Sequence, residues 1–176
     1  MQKKKVLAIL KTSRWARMGI QNVDLRPCPF KEKLYVSLDF RIRSHETHER
    51  NSAFFITQLQ KRFSSHYHVE VKRDLEIPEN MRLTSQEYSF VFSLGGDGTY
   101  MRAAQSIRDK NLPLIGVCSD SNSSVCGLRS IGMLDPDELK IQYLLDKLED
   151  EDAGYEYRTR LEVKINRAEE KERSEE

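Results

Sequence analysis

The sequence predicts an α/β domain, a mostly parallel sheet flanked by helices, and three observations predict it. Short, continuous apolar runs at residues 5–10, 88–94 and 113–118 have the composition of strands buried on both faces. Stretches of helical period follow them, at 47–63, 99–107 and from 136 onward. A Gly-Gly-Asp-Gly-Thr run at 95–99 joins one strand directly to one helix. Strands alternating with helices imply right-handed crossovers and hence a parallel sheet with helices on both faces.

The elements follow in order. Val6–Leu10 reads as a first core strand, and the polar Lys11-Thr12-Ser13-Arg14-Trp15 as the loop at its carboxyl end. The basic start before this run invites a signal-peptide reading, but the apolar run is too short and Lys11 ends it. No apolar run is long enough to span a bilayer. Residues 16–44 are the least legible: Pro27-Cys28-Pro29 disfavours helix, and Leu34–Ile42 reads as a short strand or part of a long loop. From Thr47 to Phe63, the residues Ala53, Phe54, Ile56, Leu59 and Phe63 fall mostly on one helical face. The alternation in His68–Lys72 predicts a second strand, and residues 74–86 a connector around Pro78.

Tyr88–Leu94 is a third strand that runs straight into the glycine motif. The helix expected at Thr99–Ile107 has Met101, Ala104 and Ile107 as its buried stripe, and Pro113–Cys118 is a fourth strand. After a polar loop at 119–126, Asp135 is expected to cap a helix, with Pro136 at its first position and Glu138 completing a capping box. That helix carries Leu139, Ile141, Leu144, Leu145 and Leu148. Tyr155–Ile165 alternates as a final strand, and Ala168–Glu176 is nearly all charged, as a solvated end would be.

Composition narrows the function classes. The 29 basic and 28 acidic residues leave a formal net charge of +1, so no whole-chain field argues for nucleic acid or an anionic membrane as partner. Cys28, Cys118 and Cys126 lack the spacing of a zinc site, and a disulfide framework is not expected; a reduced, intracellular setting fits. His45 and His48 lie three apart but do not form the H-E-x-x-H zinc pattern, and a surface helix start is the expected reading.

The chemistry concentrates at 95–99. Gly95, Gly96 and Gly98 let phosphates approach the backbone amides, and the following helix offers unpaired N–H groups and the positive end of its dipole. Thr99 is placed to cap that helix or to donate its hydroxyl to a phosphate. Asp97 stands where an anion would otherwise bind. A carboxylate there suits a magnesium ligand or the acceptor of a nucleophile's proton, whereas the bland reading makes it a helix N-cap. No Gly-Lys-Ser/Thr follows, so this is not a Walker A loop, and Met101 occupies the third glycine position of a dinucleotide fingerprint. In parallel sheets of this kind, ligands bind beyond the carboxyl ends of the strands. The loops at 11–15, 95–99 and 119–126 are all expected at that end, which makes Lys11, Arg14 and Asp120 candidate contacts beside Arg102 on the helix.

The segment Ser93–Ala104 resembles the signature of the NAD kinases. Pro113–Val117 resembles that family's next strand, and Ser119–Ser124 with Gly127-Leu128 the loop of its mitochondrial branch. Lys11–Arg14 and the histidine-rich 45–48 are similar to that branch as well. Arg158–Val163 looks like the strand that opens the family's second domain. Cys118 departs from the asparagine usual there. The resemblance implies transfer of the γ-phosphate of ATP to the 2′-hydroxyl of the adenosine ribose of NAD, with Mg²⁺. It implies Asp97 as catalytic residue, and Gly95, Gly96, Gly98, Thr99, Arg102, Lys11, Arg14 and Asp120 as nucleotide contacts, with no protein residue assigned as a metal ligand.

It also implies a division into 1–154, a nucleotide-binding domain; 155–166, the start of a truncated β-rich domain; and 167–176, a disordered tail. A homo-oligomer is compatible with it. The expected location is intracellular, cytoplasmic by default, with a mitochondrial one admitted by the resemblance. Two alternatives stand beside this reading: a non-catalytic or truncated nucleotide-binding relative, and a lipid kinase of the diacylglycerol or sphingosine type. The lipid kinases share the glycine turn but follow the next strand with a different loop from Val117-Cys118-Ser119-Asp120.

Overall fold

The computed structural model describes residues 4–13, 16, 31–122, 126–133, 135–150 and 154–157, with side chains of the long helix described from residue 40. The elements are β1 (Lys4–Leu10), α1 (Lys31–Phe63), β2 (Tyr67–Arg73), β3 (Tyr88–Leu94), α2 (Asp97–Ser106), β4 (Leu114–Cys118), β5 (Ile131–Gly132) and α3 (Glu138–Glu149). The strands form one sheet in the order β2-β1-β3-β4-β5, and every pairing is parallel. No helix among the described residues is long and apolar enough to cross a membrane.

Each strand serves two cores because successive side chains leave the sheet on opposite faces. Val6, Ala8, Phe90, Phe92, Ile115 and Val117 meet α1 and α3 on one face, through Phe55, Leu59, Phe63, Ile141, Leu145 and Leu148. Leu7, Ile9 and Val91 meet Ala103 and Ile107 of α2 and its flank, together with Ile77 and Leu83 of the β2–β3 connector, on the other. Burial on both faces explains why the strands read as unbroken apolar runs. Truncating a residue such as Phe92, wholly buried against Phe55, to alanine would cost about 3–5 kcal/mol.

The winding order positions the site. From β1 the chain moves outward to β2, then returns across β1 to β3 and continues the other way to β4 and β5. Neighbouring β1 and β3 therefore send their outgoing connections to opposite faces of the sheet. A crevice opens between the carboxyl ends of these two strands, where doubly wound sheets bind ligands.

Several expectations are corrected. The first helix begins at Lys31 instead of Thr47, so Leu34–Ile42 is helical and neither strand nor loop. Residues 31–63 hold no glycine or proline, and a helix anchored by Phe55, Leu59 and Phe63 extends at one hydrogen bond per residue until something stops it. The cap of α3 is Asp137, whose carboxylate accepts from Lys140 N at 3.0 Å; Asp135 instead pairs with Arg50 at 2.8 Å. Leu139 is thereby left exposed, while Ile141, Leu145 and Leu148 are buried. In α2, Met101 is exposed, and Ala103, Ala104 and Ser106 make the buried face. Residues 154–157 carry no regular structure, and the remainder of the strand expected at 155–165, like the tail, lies outside the described residues.

Candidate functional site

The glycine turn is built at the crevice between β1 and β3. Lys11 N donates to Leu94 O at 2.8 Å and Gly95 N donates to Val117 O at 2.9 Å, so the turn is tied to the strands on both sides. A Cβ on Gly95 would lie 2.5 Å from Thr99 Oγ1 and 2.9 Å from Lys11 Cβ, which excludes every other residue without rearrangement. Thr99 is buried beneath the turn, against Gly95. Gly96 is the N-cap of α2 and provides no side-chain cap; Thr99 N donates to Gly96 O at 3.1 Å, and the N–H groups of Asp97 and Gly98 keep no intrahelical acceptor. A Cβ on Gly98 would meet nothing within 4 Å, and this face of the helix start is open.

Asp97 is not the N-cap. It is the first residue of α2, and its carboxylate accepts from two backbone N–H groups thirty residues away. Gly127 N donates to Oδ2 at 3.0 Å and Leu128 N donates to Oδ1 at 2.9 Å. These two amides are placed by contacts to β4. Ser130 N donates to Gly116 O at 2.7 Å, and Gly116 gives the segment room: a Cβ there would sit 2.6 Å from Leu128 O.

A disulfide joins Cys118, the last residue of β4, to Cys126, across a Cα–Cα distance of 6.0 Å. This corrects the expectation of reduced thiols at Cys118 and Cys126; Cys28 lies outside the described residues. The bond brings together residues eight apart in sequence, a proximity that spacing alone does not reveal.

Beside the turn lies a cleft of about 950 Å³. Its walls come from Lys11 and Thr12 after β1, from the connector between Asp74 and Arg82, from α2 with its flanking Gly96 and Arg108, and from Cys126. Of the expected contacts, Lys11, Gly96, Asp97, Gly98, Thr99 and Arg102 all line it, while Gly95 lies buried behind them. Arg82 and Arg108, absent from the sequence-based set, add two cations to the rim, and Cys126 and Asp74 also reach it. Lone arginines in a connector and at a helix end carry no local signal, so only the fold assembles them.

Asp120 is a correction. It is buried away from the cleft, where it accepts from Ser44 Oγ at 2.7 Å and from Asn122 N at 3.3 Å, so it serves to tie α1 to the loop after β4. Arg14 lies outside the described residues.

His48 is a second correction, since it is buried inside α1 and not at a surface helix start. Its Nε2 donates to Lys11 O at 2.9 Å, which leaves Nδ1 to accept from the Ser119 hydroxyl. Burial pushes the imidazole below its ordinary range and keeps it neutral. One turn on, Asn51 Nδ2 donates to Ser119 O at 2.8 Å, and Ser13 Oγ bonds His45 Nδ1 at 2.9 Å. Arg73 forks onto Glu49 at 2.8 and 2.7 Å, also donating to Lys11 O at 3.2 Å; the hydrogen-bonded guanidinium holds the Glu49 carboxyl below the usual range. Thr12 N donates to Asp74 Oδ1 at 2.8 Å. Polar residues of α1 thus strap the loops after β1 and β4 together and set the position of Lys11 from behind.

The arrangement offers phosphates glycine-bared amides, a helix N-terminus and flanking cations; three carboxylates, Asp74, Glu79 and Asp97, also line the cleft, and of these Asp97 stands at the helix start. No protein-family model matches the chain, and no curated protein shows significant similarity to it.

Proposed function

We propose that this chain is a nucleotide-dependent phosphotransferase of the NAD kinase type, which moves the γ-phosphate of ATP to the 2′-hydroxyl of the adenosine ribose of NAD. The observation that carries the reading is Asp97. A carboxylate at the start of α2 lines the cleft at the sheet's switch point, surrounded by groups suited to phosphate. A loop that only bound phosphate would gain nothing from a negative charge there, and a phosphotransferase needs an acceptor for the hydroxyl proton. The resemblance of Ser93–Ala104 to the family signature supports the same reading.

The roles follow from physical chemistry. Phosphoryl transfer depends chiefly on positioning and on neutralising charge spread over the phosphoryl oxygens. The first-turn amides of α2, reached over Gly96 and Gly98, bind a phosphate, as helix N-termini do. Lys11 and Arg102 approach the same space from either side of the turn, and Arg82 and Arg108 extend the positive rim. The two loop amides hold the Asp97 carboxylate by one lone pair on each oxygen, leaving the others to accept the hydroxyl proton of the ribose.

No group of three His, Cys, Asp or Glu side chains among the described residues forms a metal cage. Mg²⁺ would enter carried on nucleotide phosphates and their waters, and Asp97, with Asp74 and Glu79 also in the cleft wall, is the carboxylate at the helix start that would approach it. Bound there, Mg²⁺ would neutralise phosphate charge.

The test is coupled NADP formation from NAD, ATP and Mg²⁺, comparing the chain with Asp97→Asn. Turnover that falls by about 10²–10⁴-fold in the variant is the expected result. Absence of turnover in both, with nucleotide still raising the melting temperature, would replace this reading with a non-catalytic nucleotide-binding module.

A further inference from the structure

The disulfide lies against the residue assigned to the chemical step. Cys118 closes β4 and is fully buried; Cys126 is buried as well but lies in the cleft wall, its Sγ 3.8 Å from Gly95 O. Immediately after Cys126 come Gly127 and Leu128, whose N–H groups hold Asp97. On the other side of the bridge, Met133 N donates to Cys118 O at 2.8 Å, so Cys118 stays registered with the sheet. The bond therefore runs from a fixed strand end to the two amides that grip the carboxylate. Cys126 also has φ of 46°, in the left-handed region disfavoured for a residue with a Cβ. Such a conformation persists where its surroundings enforce it.

We propose that Cys118 and Cys126 form a thiol–disulfide switch that sets how firmly Asp97 is held. The partner chemistry is that of a dithiol reductant. One of its thiolates attacks Cys126 Sγ, on the cleft side, once local opening of residues 126–128 exposes it; the Cys118–Cys126 bond breaks, and Cys118 leaves as a thiolate that takes up a proton. The second thiol of the reductant then attacks the mixed disulfide and releases Cys126, also protonated. Two electrons and two protons pass to the protein, and the reductant is left as a disulfide. Once the bond is open, Cys126 can relax from positive φ, and the amides of Gly127 and Leu128 exchange the Asp97 carboxylate for water. As control over the position of Asp97 the switch stands on the geometry alone; as regulation of phosphoryl transfer it rests on the function proposed above.

The experiment uses the full chain, equilibrated with oxidised glutathione or with dithiothreitol, and reads thiol titre, amide exchange by mass spectrometry and NADP formation on the same samples. Reduction is expected to release two thiols, to speed exchange over residues 126–133 by about tenfold or more, and to leave β3 as slow as before. The Cys118→Ser/Cys126→Ser variant should exchange rapidly at 126–133 in both conditions, with slow exchange in β3 showing that it folds. Equal thiol titres in the two conditions, or exchange over 126–133 that ignores reduction, would overturn the switch. NADP formation that drops about tenfold on reduction, from a misplaced Asp97, supports its regulatory role. Equal turnover in both redox states overturns that role. Responsive exchange without NADP formation in either state upholds the control of Asp97 and overturns the kinase reading.

Discussion

The Asp97 carboxylate and the backbone N–H of Leu128 lie 2.9 Å apart across 31 residues of sequence. Gly127 N adds a second bond at 3.0 Å to the other carboxylate oxygen. The helix start that presents the carboxylate and the loop that orients it belong to different crossovers, so the site depends on β3 and β4 being neighbours. Replacing Asp97 by alanine should remove both bonds. Because Gly127 is exposed to water, the stability loss should be near the low end for such bonds, about 1 kcal/mol by urea denaturation. The accompanying loss of NADP formation should be far larger than that loss of stability explains. Activity falling only in proportion to the unfolded fraction would show Asp97 to be a structural residue.

Gly95 and Gly98 should respond oppositely to alanine. At Gly95 the new Cβ meets Thr99 and Lys11 within 3 Å, and overpacking should cost about 1–3 kcal/mol. At Gly98 it meets nothing, and the gain in helix propensity should stabilise the fold by up to about 1 kcal/mol. If a phosphate sits on the amides beneath Gly98, however, the same variant should bind ATP more weakly by isothermal calorimetry. Unchanged ATP affinity in Gly98→Ala would move the phosphate elsewhere in the cleft.

Gly116 tests the loop that holds Asp97 without touching the carboxylate. A methyl at this position lies 2.6 Å from Leu128 O and 3.1 Å from both Arg129 Cα and Tyr100 Cδ2. Gly116→Ala should therefore displace residues 128–129, cost about 1–3 kcal/mol and lower turnover more than nucleotide affinity. An unaltered kcat in a folded Gly116→Ala protein would mean that the Leu128 amide does not position the reacting group.

His48 gives the fold a pH dependence of defined sign. Its imidazole is depressed in the folded chain by burial, so between the folded value and the ordinary 6.5 the unfolded chain binds the extra proton. The stability is present in full above 6.5 and declines as pH falls below it, by up to about 1.4 kcal/mol per pH unit. Glu49, also depressed, contributes in a separate window, with loss beginning only as pH drops through the ordinary carboxyl value of 4.5. Urea midpoints measured from pH 7.5 to 5.5 should fall in the native chain and stay flatter in His48→Gln. Parallel curves would place the titrating group elsewhere.

The parts legible in the sequence are those whose cause is local. Val6–Leu10 and Phe90–Leu94 are apolar throughout because both faces of their strands are covered, and the Gly95–Thr99 turn shows its glycines in a row. The helical period at Ala53–Phe63 was equally plain, whereas the extension of α1 back to Lys31 was not. Pro27 and Pro29 dominate that region's local signal, and the packing that sustains the helix lies a dozen or more residues further on.

The amino-acid sequence by itself determined the fold class, the strand-to-helix turn and most of the turn residues that line the cleft. Tertiary structure alone decided that β1 lies between β2 and β3, that Arg82 and Arg108 share a cleft with Lys11, that Asp120 ties down a helix, and that Cys126 meets Cys118. Backbone propensity and apolar period act over a few residues and are written in them. The neighbours of a strand, and the amides that reach a carboxylate thirty positions away, follow from how crossovers pack on two faces of one sheet, where many similar apolar runs compete and only the assembled core selects among them.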